Sequence, residues 1–278
     1  MTPTLLIAAL LAAAPGASWL GPKPPAHPAR VATLAPSLTE LVQALGAGDR
    51  LVGVSKFDDD PAVAKLPRLG GLMDPSPEAI LAVKPELLVV QPSPTIQPLL
   101  ERVAELGVPV LELPMSNVSE VETAERELGA ALGEKPKGAT LATQLESSLA
   151  AARAKTPAGK KQRALIVYGW SPLVVAGPGS YADELLLAAG GENAAAGAKG
   201  AYVTYSAELA ADSRPDLLID LAFSMGDQMP AAFKQLPGLA SARVVHPKTQ
   251  ALLHPGPKLV EGLQELQQAL HEPKPDGH

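Results

Sequence analysis

The sequence predicts an α/β protein built as two α/β lobes joined by one long backbone helix. Three observations predict it. From Ala29 onward, short aliphatic runs alternate with helical patterns, the rhythm of α/β layering. A central stretch, Ala139 to Ala154, carries Leu141, Leu145 and Leu149 at four-residue spacing with no internal Gly or Pro, so it reads as a single helix. The segments on either side of that helix repeat one another.

In chain order, Arg30 to Leu34, Leu51 to Val54, Leu87 to Val90 and Val110 to Leu113 read as strands of the first lobe. Leu38 to Leu45, Pro77 to Val83 and Ile96 to Leu106 read as its helices, stopped by Gly46, Gly48 and Gly107. The central helix, extended from Lys137 to Lys155, would span nearly 30 Å at about 1.5 Å per residue. A connector that stiff allows rocking of the lobes and not wide clamping. In the second lobe the strands are Arg163 to Tyr168, Leu217 to Asp220 and Arg243 to His246. Its helices are Tyr181 to Ala189, Ala207 to Ala211, Pro230 to Gln235 and Pro257 to Leu270. These readings give a first lobe over 30–134, a connecting helix over 135–160 and a second lobe over 161–278.

The repeat is clearest around two acids. Glu78 stands seven residues before Pro85-Glu86-Leu87-Leu88-Val89, and Glu208 stands seven before Pro215-Asp216-Leu217-Leu218-Ile219. A second pair, Glu40 to Gly46 and Glu184 to Gly190, follows in the same order.

Composition narrows the function. The 278 residues carry a formal charge of −6 with no long basic block, which excludes nucleic acid as an expected partner. Beyond the first twenty residues no apolar run approaches the roughly 20 needed to cross a bilayer, so no stable membrane insertion is expected. Leu5 to Ala14, followed by Pro15-Gly16-Ala17-Ser18, reads as a signal peptide over 1–18, with a Pro-rich linker over 19–29. There is no cysteine, hence neither disulfide nor lipid anchor, and the expected product is soluble, monomeric and free in the periplasm.

Enzyme signatures are missing. No G-x-S-x-G elbow or phosphate loop occurs, and Gly177-Pro178-Gly179 lacks the third glycine of a dinucleotide site. Neither catalysis nor a cofactor is expected. The five histidines include none in the first lobe beyond the linker, and Asp58-Asp59-Asp60 lacks the spacing of a calcium loop, so no metal site is expected.

Aromatic residues are only 3% of the chain, so their positions carry information. Phe57, Tyr168, Trp170, Tyr202, Tyr205 and Phe223 are placed in loops or at strand ends, with Met73, Met225 and Met229 on similar loops. Open α/β sheets bind ligands beyond the carboxyl ends of their strands. Such walls suit a flat or bulky apolar ligand.

The stretch Arg30-Val31-Ala32-Thr33-Leu34-Ala35-Pro36-Ser37-Leu38-Thr39-Glu40 resembles the opening of the helical-backbone family of substrate-binding proteins of ABC importers. So do Leu45-Gly46-Ala47-Gly48-Asp49-Arg50-Leu51-Val52-Gly53-Val54 and, most specifically, Ser76 to Leu87. Gly190-Gly191-Glu192-Asn193 and Pro255-Gly256-Pro257 recur in the family's order. The resemblance covers nearly all of the chain after the linker. It implies a ligand cleft between the lobes, delivery to an ABC importer permease dimer, and Glu78 and Glu208 as the acids that dock on permease arginines. Within the family the cobalamin-binding branch is most similar, which implies cobalamin or a related corrinoid as ligand. Two stacking aromatics of that branch are Leu72 and Val174 here, while Tyr202 keeps a third. Haem or a ferric siderophore is the alternative, with Lys56, Arg68 and Lys248 to pair its acids; an enzyme or a non-transport sensor on the same scaffold is the alternative of another class. The candidate ligand-binding residues are Ser37, Phe57, Leu72, Met73, Trp170, Val174, Tyr202, Phe223 and Gln250.

Overall fold

The computed structural model describes residues 16–156 and 159–272. The leader reading therefore lies, up to residue 15, outside the described residues. The chain divides into two compact units, one ending at Pro114 and taking in Thr123–Ala139, the other combining Met115–Glu122 with the chain from Thr140 onward.

The first unit holds β1 (Ser18–Leu20), β2 (Val31–Thr33), α1 (Pro36–Ala44), β3 (Leu51–Gly53), α2 (Pro77–Ala82), β4 (Leu87–Val90), α3 (Gln97–Glu105) and β5 (Val110–Glu112). Its sheet runs β1-β5-β4-β2-β3, parallel except for β1. Leu-Leu-Val-Val of β4 is buried at every position, as expected for a parallel strand covered on both faces. Leu100, Val103 and Ala104 of α3 close over Ala32, Leu88, Val90 and Val110 to form the core.

One expectation is corrected here. Residues 19–29 are not a free linker, because Trp19 and Leu20 belong to β1, which pairs antiparallel with β5. Further along, Ala29 N–H donates to Glu86 Oε2 (2.6 Å), and the Arg30 guanidinium donates to the carbonyls of Val83 (2.6 Å) and Lys84 (3.0 Å). Those carbonyls end α2, where Lys84 turns left-handed (φ 44°) before Pro85.

Two helices run from one unit into the other: α4 (Val118–Ala131) and α5 (Lys135–Lys155). The 21 residues of α5 make a rod of about 30 Å. The turn between the helices brings their backbones together at two glycines. A Cβ on Gly138 would fall 2.3 Å from the Glu125 carbonyl oxygen, and one on Gly129 would fall 2.9 Å from Gly138 Cα. Only glycine permits that approach. The start of α4 is tied to the second unit, where Tyr181 N–H donates to the Ser116 carbonyl (2.8 Å).

The second unit holds β6 (Arg163–Trp170), β7 (Leu173–Ala176), α6 (Tyr181–Ala188), β8 (Glu192–Asn193), β9 (Tyr202–Thr204), α7 (Ala207–Asp212), β10 (Leu217–Asp220), α8 (Ala231–Lys234), β11 (Arg243–Val245) and α9 (Leu259–His271). Its sheet runs β11-β10-β6-β7-β9. The first three strands are parallel, and β7 and β9 continue antiparallel. The amino end of β6 also pairs with β8. Among the described residues no helix is long and apolar enough to cross a membrane.

Candidate functional site

In the first unit the strand order places the topological switch between β2 and β4, since the chain leaves β2 for β3 on one side and returns to β4 on the other. At such a point the loops beyond the carboxyl ends diverge and leave room for a ligand. Ser37, just after β2, and Gln91, just after β4, meet there: Gln91 Nε2 donates to Ser37 Oγ (2.8 Å). Ser37 itself is buried. Its hydroxyl is taken up by Gln91, which the sequence reading did not single out and which stands at the switch point itself.

Around this point the surface turns apolar. Phe57 and Met73 are 61% and 57% exposed, unusual for side chains of their size, and Leu72 is half-buried beside them. Ser93 Oγ lies 3.7 Å from Met73 Sδ. Lys56 pairs with Asp74 and places its ammonium 5.0 Å from the centre of the Phe57 ring. The lysine holds the Asp74 carboxyl below its ordinary pKa. The Lys56 charge is thus committed locally, and Arg68 likewise donates to the Ser55 carbonyl (3.3 Å).

In the second unit the carboxyl ends of β10 and β11 carry Phe223 and His246, whose rings meet edge to face at 4.0 Å. Phe223 is 48% exposed, and Met225 beside it is exposed as well. Phe223 is fixed from behind, since its N–H donates to Asp220 Oδ1 (3.1 Å).

Trp170 shares that anchor, donating Nε1–H to Asp220 Oδ1 (3.0 Å), but it is only 2% exposed and packs on Phe233 in the core. This corrects its assignment to the ligand surface. The cause is a register shift in β6: Val167 faces Val175 while Gly169 faces Val174, so Tyr168 is bulged out. Past the bulge the alternation is inverted, and Trp170 joins Leu165 and Val167 on the core face. Burial raises the Asp220 carboxyl pKa, opposed by the Trp170 and Phe223 donors.

The bulge turns Tyr168 toward a group of three tyrosines. Its ring meets Tyr202 of β9 edge to face at 5.3 Å, and Tyr202 lies 6.2 Å from Tyr181. The Tyr168 hydroxyl donates to the Tyr181 hydroxyl (2.9 Å), which lies 3.0 and 3.1 Å from the carbonyls of Leu252 and Leu253. Those carbonyls belong to the turn that begins at Gln250, whose own carbonyl accepts from Leu253 and His254 N–H. Burial, foremost, lifts the phenol pKa values of Tyr168, Tyr181 and Tyr202 well above the ordinary tyrosine value. Tyr202 remains 43% exposed on its outer side, and half-buried Val174 lies on β7, paired to β9 two residues from Tyr202.

Glu78 and Glu208 occupy matching places. Each is the second residue of a six-residue helix, α2 or α7, capped by a serine. Ser76 Oγ accepts Ala79 N–H (3.2 Å), and Ser206 Oγ accepts Leu209 N–H (3.1 Å). Both helices end at a basic residue with φ 44°, Lys84 or Arg214. Both glutamates are exposed. The Ser76 hydroxyl lies 3.2 Å from Glu78 Oε2, and hydrogen bonds from its own backbone and from Ser206 lower the Glu208 carboxyl pKa.

Residues 31–246 match a family model described as periplasmic binding protein. The vitamin B12-binding protein of Vibrio parahaemolyticus is 26% identical over 240 residues, spanning 85% of this chain and 87% of that one. Among solved structures, the periplasmic vitamin B12-binding protein BtuF of Vibrio cholerae superposes with a TM-score of 0.73 at 23% identity, covering 88% of this chain and 98% of that one. A periplasmic heme-binding protein from Pseudomonas aeruginosa does so with a TM-score of 0.70 at 28% identity, covering 88% and 93%.

Proposed function

Because this chain belongs to the periplasmic binding protein family, we propose that it is exported to the periplasm, captures cobalamin or a related corrinoid and hands it to the permease dimer of an ABC importer. The observation that carries the transport reading is the matched pair of exposed, serine-capped glutamates, Glu78 and Glu208, one in each unit. An ionised carboxylate at an exposed helix start can accept paired hydrogen bonds from an arginine. Nothing in core packing calls for the same acid at the same place twice.

Two further features support a corrinoid. Relatives that share most of this chain's length are vitamin B12-binding proteins. Beyond its strand ends each unit leaves large apolar groups exposed, Phe57 and Met73 in the first, Tyr202 and Phe223 in the second, and apolar surface of that kind suits a bulky ring system. We assign Phe57, Leu72, Met73, Val174, Tyr202, Phe223 and Gln250 to ligand contact, with Gln91 added and Ser37 supporting it. The protein is proposed to act as a monomer without a lipid anchor.

Haem is the second reading, favoured by the heme-binding neighbour at 28% identity and by His246 exposed against Phe223. Titration of the purified protein with cyanocobalamin and with hemin, followed by absorbance and calorimetry, separates the two. Stoichiometric binding of cyanocobalamin with hemin weaker by at least an order of magnitude supports the corrinoid. The reverse order transfers the assignment to haem, and binding of neither removes both.

A further inference from the structure

We propose that the leader is cut immediately before β1, making Ala17 or Ser18 the amino terminus, and that the freed ammonium pairs with Glu112 inside the first unit. The proposal rests on the export reading above.

Glu112 ends β5 and is 3% exposed. Its two oxygens are treated differently. Oε2 accepts the Ser18 hydroxyl (2.8 Å), whereas Oε1 is buried with no hydrogen-bond partner. A buried carboxylate with one oxygen unsatisfied is costly, and the natural remedy is a nearby cation or donor. Ser18 stands directly opposite Glu112 in the β1–β5 register. Its backbone nitrogen is three covalent bonds from the hydroxyl that already touches the carboxylate. In an uncut chain that nitrogen is a neutral amide with one proton. With Ser18 first it is an ammonium with three donors and a full charge; with Ala17 first the ammonium stands one residue further along and the Ser18 amide stays neutral.

The chemistry is simple hydrolysis by a signal peptidase. One water is consumed as the Gly16–Ala17 or Ala17–Ser18 peptide bond breaks, leaving a carboxylate on the leader and an ammonium on the protein. Gly16 and Ala17 are the small residues such a peptidase accepts beside the cut. A later cut is disfavoured by packing. Losing Ser18 would take the hydroxyl donor from Glu112 Oε2 and shorten the strand that covers the β5 edge. The chain beyond is also close against its own unit, since a Cβ on Gly21 would fall 2.9 Å from the Val108 carbonyl oxygen.

The test begins with the intact mass of protein released by osmotic shock from an exporting host. A mass that starts at Ala17 or Ser18 is expected; exported protein starting at Trp19 or later overturns the proposal alone. Protein kept in the cytoplasm with its leader overturns the export reading and this proposal with it. The mature protein is then compared with a version extended by Gly-Ser at its amino end, in the wild-type and Glu112→Gln backgrounds. The extension should lower Tm by at least about 2 °C in the wild type and leave Glu112→Gln unchanged. Equal loss in both backgrounds, or none in either, sinks the ion pair. Should Glu112→Gln not fold, NMR titration of the wild-type α-amino group decides: a pKa above the ordinary value of about 7.7–8.0 supports pairing, and an ordinary value overturns it.

Discussion

Glu86 and Asp216 perform the same task in the two units. Each carboxylate accepts a backbone N–H at the start of a parallel strand of its own sheet, Ala29 N–H just before β2 to Glu86 Oε2 at 2.6 Å and Arg163 N–H at the first residue of β6 to Asp216 Oδ2 at 3.0 Å. The return bonds match as well, with Glu86 N–H donating to the Arg30 carbonyl (2.8 Å) and Asp216 N–H to the Arg163 carbonyl (2.7 Å). A repeat noticed as Pro-acid-Leu-Leu is therefore a repeated clamp. Glu86→Ala and Asp216→Ala should each cost about 1 kcal/mol. Amide exchange should accelerate at Ala29 in the first variant and at Arg163 in the second; acceleration at both sites in either variant would show that the clamps are not independent.

Charge reversal at Glu78 or Glu208 should leave ligand affinity within about twofold, because each carboxylate stands at a capped helix start and supports no core contact. Like charges brought against permease arginines can cost several kcal/mol. Uptake by cells carrying Glu78→Lys with Glu208→Lys should therefore be lost. Normal uptake by the double variant would remove the docking assignment.

Trp170 and Tyr202 should respond in opposite ways. Trp170→Ala removes a core ring and leaves Asp220 short of a donor, so a loss of about 3–5 kcal/mol in stability is expected. Tyr202→Ala exposes no comparable void and should weaken ligand binding by about tenfold, near 1.4 kcal/mol. Denaturant melts and ligand titrations of both variants check the pair; a Tyr202→Ala protein that binds normally is not missing a contact.

The tyrosine group should give an alkaline signature. Tyr168, Tyr181 and Tyr202 have phenol pKa values raised in the folded state, mainly by burial. The neutral phenol is thus favoured by folding, and this stability is intact below the unfolded value of about 10 and is lost as pH climbs above it. Absorbance at the phenolate band should show the hydrogen-bonded pair Tyr168 and Tyr181 ionising only with unfolding, and Tyr181→Phe should speed amide exchange in the turn from Gln250 to His254. Free ionisation of that pair in native protein would contradict the burial.

Much of the fold was legible because the sequence states it locally. Leu87–Val90 and Leu217–Asp220 stand in the structure with the same ends as in the sequence, each opening on an aliphatic run set off by Pro and an acid. The helix α4 went unread although its start was signalled: Asn117 Oδ1 accepts Glu120 N–H (2.9 Å) and Glu120 Oε2 accepts Ser116 N–H (2.7 Å), a reciprocal cap spelled Ser-Asn-Val-Ser-Glu. β1, β7 and β9 were missed because three or four residues carry too little alternation to register. Trp170 was misplaced for a subtler reason. One bulged residue inverts the faces of a strand, and nothing in the one-dimensional pattern marks where the extra residue sits. Gln91 was invisible since its place at the switch point comes from strand order.

The weaving of the chain between units sets the order in which this protein can be born. The first unit borrows Thr123–Ala139, so it lacks part of itself until Ala139 has left the ribosome, and by then Met115–Glu122, which belong to the second unit, are already made. Those eight residues must wait for α6, which does not yet exist, and the second unit is complete only when α9 emerges. Neither unit can be cut out as one continuous stretch of gene. An experimenter who wants half of this protein must splice two separated stretches together, and a protease that nicks the chain between the units separates nothing until it has cut at all three crossings.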